Sequence, residues 1–102
     1  MIVVGVIYDK SNKTIEIVGS GTIIIEPKII RGGANVGHIE DIVVAKHMQG
    51  KGISQKILNI LKLIARENNC YKVILDCEDS VKNVYLKNGF TLKGIQLAEY
   101  FN

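Results

Sequence analysis

Apolar residues recur along the chain in two rhythms, and each change of rhythm marks an element. Ile2 to Tyr8 and Thr14 to Ile25 are dense in β-branched residues and flank the turn-forming run Asp9-Lys10-Ser11-Asn12-Lys13, which predicts a β-hairpin. Gly19 and Gly21 interrupt the second of these strands and mark either a bulge or a bend. Pro27 to Asn35 holds the single proline and a Gly32-Gly33 pair, so it reads as a loop or bent extension into a third strand, Val36 to Ala45. The rhythm then lengthens: Ile53, Ile57, Leu58, Leu61, Ile64 and Ala65 form one stripe, with Gln55, Lys56, Asn59, Lys62 and Arg66 opposite, which predicts an amphipathic helix packed on a core.

Asn68-Asn69 end that helix, and Tyr71 to Cys77 reads as a fourth strand. A helix joining two strands of one sheet makes a βαβ unit, so strands three and four are expected to be parallel. Asp79 or Ser80 is placed to cap a second helix carrying Val81, Val84 and Tyr85, Asn88-Gly89 supplies its stop, and Phe90 to Tyr100 reads as a last strand. The order β-β-β-α-β-α-β predicts a mixed α/β (α+β) sheet whose ligand cleft opens where the parallel strands part. Residues 1–102 form a single domain, without repeat or linker.

Composition narrows the classes. Apolar residues at 47% and charged residues at 23% describe a soluble globular chain. The apolar runs are short and broken by charges, and no signal peptide precedes Met1-Ile2-Val3, so no membrane association and a cytoplasmic location are expected. Cys70 and Cys77 lack paired metal spacing and are expected to be reduced, buried thiols. A net charge of +3 with no arginine-rich patch argues against nucleic acid and suits a phosphate-bearing ligand.

Candidate chemistry concentrates between Gly37 and Tyr85. Gln49-Gly50-Lys51-Gly52-Ile53-Ser54 turns a strand into a helix, and the first turn of a helix presents unpaired N–H groups and a positive dipole end to an anion, most naturally a pyrophosphate. Glycines 50 and 52 admit close backbone approach, and Lys51 adds charge. Glu40 and Asp41 are adjacent in a strand and face opposite sides unless the strand is bulged there; otherwise one faces solvent and the other pairs with a lysine. Asp76 is either a strand-end residue or a cleft carboxylate, and Tyr85, at helical spacing from Val81 and Val84, is on pattern alone a core aromatic. His38 and His47 have no third ligand at useful spacing, so no metal is expected and surface or loop positions suit them. Cys77 reads as a small buried hydrophobe rather than a nucleophile.

The loop resembles the acetyl-CoA loop of the GNAT superfamily of N-acetyltransferases: Gln or Arg, two residues, Gly, one residue, then Gly or Ala. Gln49 and Gly52 match, and Ser54 departs from the last place. Gly37-His38-Ile39-Glu40-Asp41-Ile42, Gln49-Gly50-Lys51-Gly52, Asn69-Cys70-Tyr71-Lys72, Leu75-Asp76-Cys77, and Tyr85 with Gly89-Phe90 together are similar to one branch, the eukaryotic-type glucosamine 6-phosphate N-acetyltransferases, with weaker similarity over Ile23-Ile24-Ile25-Glu26 and the last strand. The resemblance implies the GNAT fold: a mixed, mostly antiparallel sheet with a central parallel strand pair splayed at a β-bulge, and two main helices. It implies acetyl transfer from acetyl-CoA to the 2-amino group of glucosamine 6-phosphate, a step toward UDP-N-acetylglucosamine. By the same resemblance, Glu40 and Asp41 hold the acceptor, Asp76 lies beside its amine, Glu40 and Asp76 count with Tyr85 as catalytic in orienting the amine and removing its proton, and a backbone N–H near Ile42 or Val43 meets the oxyanion. Tyr85 protonates the departing thiolate, pantetheine runs along Ile42, Val43 and Val44, and the pyrophosphate sits on Gln49, Gly50, Lys51, Gly52, Ile53 and Ser54.

The branch also implies a homodimer in which the last strand crosses to the partner, a use that suits Ile95, Leu97 and Phe101. This chain departs from it at three places. It starts directly at the hairpin, without the branch's N-terminal strand and helices, so an acceptor pocket that is open or completed by a second subunit is expected. Leu97 to Asn102 contains no basic residue for the sugar phosphate, leaving Lys82, Lys87 or Lys93 to substitute. Val81 stands where the branch has asparagine, with Asn83 two positions on. Two other readings accompany the first: transfer to a different small amine or peptide amine, and a shortened, non-catalytic module that binds CoA or a protein.

Overall fold

The computed structural model describes residues 2–9, 16–28 and 32–101. Strand β1 (Ile2–Asp9) pairs antiparallel with β2 (Glu16–Pro27), the predicted hairpin; its turn beyond Asp9 and residues 29–31 of the predicted loop lie outside the described residues. β2 pairs antiparallel with β3 (Asn35–Val44), and β3 pairs parallel with β4 (Cys70–Ile74), giving the sheet order β1-β2-β3-β4. Between β3 and β4 runs helix α1 (Ile53–Glu67), the predicted crossover.

α1 lies on the sheet through the stripe read from its sequence: Ile53, Ile57, Leu58, Leu61 and Ala65 are buried against Val18, Ile23 and Ile39, with Ile64 partly buried beside them. The approach is close enough to explain Gly21. A Cβ there would stand 2.7 Å from Ile57 Cγ2 and 3.0 Å from Leu61 Cδ1, so only glycine lets the helix settle on β2. Asn68 closes α1 by donating from its side-chain amide to the Ile64 carbonyl at 2.8 Å. Asn69 follows with φ at +59°, the left-handed geometry of a helix stop.

β3 carries the predicted bulge. Ser20 pairs with Val43 and Thr22 with Glu40, so Asp41 and Ile42 together stand opposite Gly21. The strand bends there, and β4 does not follow it: parallel pairing runs from Asn35↔Cys70 to His38↔Ile74 and stops, while β3 continues to Val44. A wedge therefore opens between the end of β4 and the bulged half of β3.

Beyond β4 three expectations change. The fourth strand ends at Ile74 instead of Cys77, because Leu75 onward has lost the neighbouring strand that holds a ladder together. Helix α2 (Lys82–Lys87) is preceded by a 3-10 turn, Asp79–Val81, and has no side-chain cap; the Asp79 carboxylate pairs with Lys82 Nζ at 3.1 Å instead. The last strand does not form: residues 90–101 have no regular secondary structure, and Leu92, Ile95, Leu97, Tyr100 and Phe101 are 72–91% exposed. A strand exists only on another strand's ladder, and this segment meets none among the described residues. β4 is thus an outer strand, and the parallel pair sits at the end of the sheet rather than its centre.

Candidate active site

The bulge decides which side chains meet. Asp41 adopts φ of +54°, a left-handed conformation that aspartate tolerates better than most residues, and this breaks the alternation that would send Glu40 and Asp41 to opposite faces. Both line one cleft in the wedge, a cavity of about 310 Å³ shared with His38 of β3 and with Ile74, Leu75 and Asp76 from the end of β4. Three carboxylates thus line one open cleft. Along the bulged half of β3, from Ile39 to Val44, no strand occupies the β4 side, so that edge is open to an extended ligand adding itself as a strand.

At the far end of β3 the chain makes a 3-10 turn, Lys46–Met48, and enters the glycine loop. Gly50 and Gly52 have φ of +80° and +77°, and a Cβ on either would meet nothing within 4 Å, so the loop surface is open above a helix start. Gly52 is the residue before α1, no side chain caps the helix, and the first intrahelical bond runs from Lys56 N–H to the Gly52 carbonyl. The N–H groups of Ile53, Ser54 and Gln55 therefore point outward at the positive end of the helix dipole. Ile53, buried, anchors the loop from below, and Gln49 Nε2 reaches back 3.4 Å to the Val44 carbonyl. Lys51 Nζ lies 3.8 Å from Met48 Sδ at the rim. This geometry fits a pyrophosphate.

Tyr85 stands apart from the small cleft. It lines a larger open cavity, about 910 Å³, bounded by β4, α2 and the C-terminal segment, with Asp76 belonging to both spaces. Asp76 accepts a hydrogen bond from Gln96 Nε2 at 3.0 Å, which ties the segment to the junction. Half-buried Tyr85 packs on the core and meets Phe90 edge-on, ring centres 5.9 Å apart at 81°. Phe90 is in turn covered by Lys62 Nζ, 4.8 Å from its ring, which also donates to the Asn88 carbonyl at the end of α2. Burial, and then the neighbouring Cys77, push the Tyr85 phenol above the usual tyrosine range, so it is a proton donor at neutral pH.

Of the residues singled out from the sequence, Glu40, Asp41 and Asp76 are thus brought together. Tyr85 shares only Asp76's cavity, and the Gln49–Ser54 loop lies beyond the strand in neither cavity. Lys82 and Lys93 line the larger cavity, whereas Lys87 is not among its lining residues. Two expectations are corrected. Cys77 is exposed and lines that cavity, because the chain has left the sheet before reaching it; Cys70 is half-buried, and both thiols are free. His38 is not a loop residue: it sits one-third exposed on β3, lines the small cleft, and its Nε2 lies 2.9 Å from Glu26 Oε1, which Lys28 Nζ also meets at 3.0 Å. The signal for it was in the pairing of β2 with β3, which a sequence read strand by strand does not reveal.

A parallel pair parting at a bulge, with an open strand edge leading to an uncapped glycine-loop helix, defines an architecture for gripping a long phosphate-bearing ligand beside an acidic cleft. A family model described as the acetyltransferase (GNAT) family matches residues 3–90, and the chain belongs to that family. It is 46% identical over 74 residues to glucosamine 6-phosphate N-acetyltransferase of Trypanosoma brucei brucei, covering 72% of this chain and 50% of that protein. It is 40% identical over 85 residues to glucosamine 6-phosphate N-acetyltransferase 1 of Dictyostelium discoideum, covering 83% and 54%. The crystal structure of glucosamine-6-phosphate N-acetyltransferase from Arabidopsis thaliana superposes with a TM-score of 0.89 at 37% identity, covering 99% of this chain and 67% of that one. The chain spans about half the length of the curated relatives it matches.

Proposed function

We propose that this chain carries out direct, acetyl-CoA-dependent N-acetylation of glucosamine 6-phosphate, a step toward UDP-N-acetylglucosamine. The observation that carries the reading is the bulge, which gathers Glu40, Asp41 and Asp76 around one cleft beside an open strand edge. The names of the relatives supply the acceptor.

In this reading Glu40, Asp41 and Asp76 hold the acceptor's amino group and orient it, and it attacks as the free amine once its ammonium proton has left the open cleft for water. The open edge at Ile42, Val43 and Val44 takes pantetheine as an added strand, and a backbone N–H near Ile42 or Val43 donates to the oxyanion as the N–C bond forms. Gln49 to Ser54 hold the pyrophosphate. As the C–S bond breaks, the Tyr85 phenol gives its proton to the thiolate. Lys82 and Lys93, lining the cavity next door, serve the sugar phosphate that the C-terminal residues have no base to meet. The exposed apolar C-terminal segment pairs with a second copy of the chain, making a homodimer. Two free thiols suit a reducing compartment, and the cytoplasm is the location this reading takes.

The test is CoA thiol release with glucosamine 6-phosphate by wild type and Tyr85→Phe. Tyr85→Phe lowers kcat by roughly 10²-fold with little change in KM. Because burial holds the phenol protonated beyond its ordinary range, wild-type kcat stays level into alkaline pH and falls only above the pH at which an ordinary tyrosine ionises, a limb absent from Tyr85→Phe. Turnover with other amines alone would move the acceptor assignment, and acetyl-CoA binding without any turnover would make the chain a binding module. No acetyl-CoA binding would remove the cofactor.

A further inference from the structure

An amine that attacks a thioester must lose a proton, and the acidic cleft is poorly built to take it. An amine on an electron-poor carbon, such as an α-amino group, has a reference pKa of about 7.7–8.0, against about 4 for a carboxyl and about 6.5 for imidazole. Carboxylates suit the holding of an ammonium, whereas an imidazole is the kind of side chain matched to taking its proton near neutral pH. His38 is the imidazole lining that cleft.

Its surroundings prepare it for the task. Ile24 of β2 pairs with His38, and Glu26, two residues along the same strand, shares that face, so the two side chains meet across the strands at 2.9 Å between Oε1 and Nε2. Hydrogen bonds from His38 and then Lys28, with the Lys28 charge, hold the Glu26 carboxyl below its usual range, so it stays an anion. An anion at Nε2 requires the proton on that nitrogen, which leaves Nδ1 bare as the acceptor. Among the described residues, the other charged groups bordering the pair and the cleft are Lys28 after β2, Glu40 and Asp41 on β3 and Asp76 after β4. The side chain is one-third exposed, giving the proton an exit to water.

We propose that His38, oriented by Glu26, is the general base of the acceptor cleft. The proposal rests on the transferase reading above. The ammonium first gives one proton to Nδ1, Glu26 stabilises the imidazolium, and the ring releases that proton to water. The free amine attacks, its second proton leaves nitrogen by the same route as the C–S bond breaks, and the Tyr85 phenolate recovers a proton from water. Nothing is oxidised or reduced, and the proton that Tyr85 gives the thiolate is a separate one.

The test pairs kinetics with spectroscopy. In wild type, kcat/KM for the acceptor falls as pH drops. In His38→Asn it falls about 10²-fold at neutral pH, and the acid limb moves up to the amine's own pKa. Glu26→Gln, which removes only the orienting anion, loses less and keeps a limb, while acetyl-CoA affinity is unchanged in both. Imidazole nitrogen NMR shows the Nε2–H tautomer in wild type and a mixture in Glu26→Gln. An Nδ1–H tautomer in wild type, or a His38→Asn profile parallel to wild type at every pH, overturns the proposal. Failure of the transferase reading is separate: it shows in wild type as no thiol release with any amine, whatever the tautomer.

Discussion

Asp41 does two things that one substitution confounds. Its backbone, at φ of +54°, makes the bulge that opens the cleft, and its carboxylate faces that cleft. The two roles separate by choosing replacements that differ only in tolerance of positive φ. Glycine accepts that region freely; a β-branched residue is strained there by about 1–3 kcal/mol. Asp41→Gly therefore keeps the wild-type melting temperature, or raises it, while Asp41→Val melts lower by several degrees at this chain length. Both lose the charge, so acceptor KM rises in both by a similar factor. If thermal scans and KM move together across the pair, the charge and the fold are not separable at this position.

At the scale of elements, what could be read from the chain was what depends on near neighbours. α1 was legible because its stripe at Ile53, Ile57, Leu58, Leu61 and Ala65 repeats over 15 residues, and all five are buried. The bulge was legible as a contradiction: two adjacent acids in a strand cannot share a site unless the strand breaks its alternation, and it does. The His38–Glu26 pair was not legible, because it depends on how β2 and β3 register 12 residues apart in sequence. Nor was the loss of the last strand, since alternation of apolar residues says that a segment can be a strand but not which edge receives it. The glycine loop, read correctly as a turn into a helix, gives a prediction of its own. Gly52 sits at φ of +77° with open space where a side chain would go. Gly52→Ala therefore costs about 1–2 kcal/mol of backbone strain and puts a methyl where phosphate oxygens approach the first-turn N–H groups. Chemical denaturation measures the first effect, and roughly a tenfold rise in the dissociation constant for CoA reports the second, with none for dephosphorylated pantetheine.

For the whole molecule, the sheet ends on a short parallel strand with an unpaired outer edge, and the chain ends in apolar side chains turned to solvent. Ile95 is 90% exposed, Leu97 89% and Phe101 91%, far above what scattered surface apolar residues require, and Gln96 between the first two holds Asp76. A free ladder and a free strand-patterned segment in one chain satisfy each other most simply between two copies, and a two-fold arrangement does so twice. The segment also carries Gln96, which donates to Asp76, so on the proposed dimer a change in association is expected to reach the acceptor cleft. Sedimentation of wild type is expected to show a dimer that persists at micromolar concentration. Ile95→Lys with Leu97→Glu, which makes the inserted face charged, is expected to yield a monomer whose kcat/KM for the acceptor falls at least tenfold while CoA binding, which the proposed function assigns to the glycine loop, is kept. A monomeric wild type with full activity would mean that the segment closes on its own β4 edge instead. In that case the same double substitution would lower thermal stability without any change in mass.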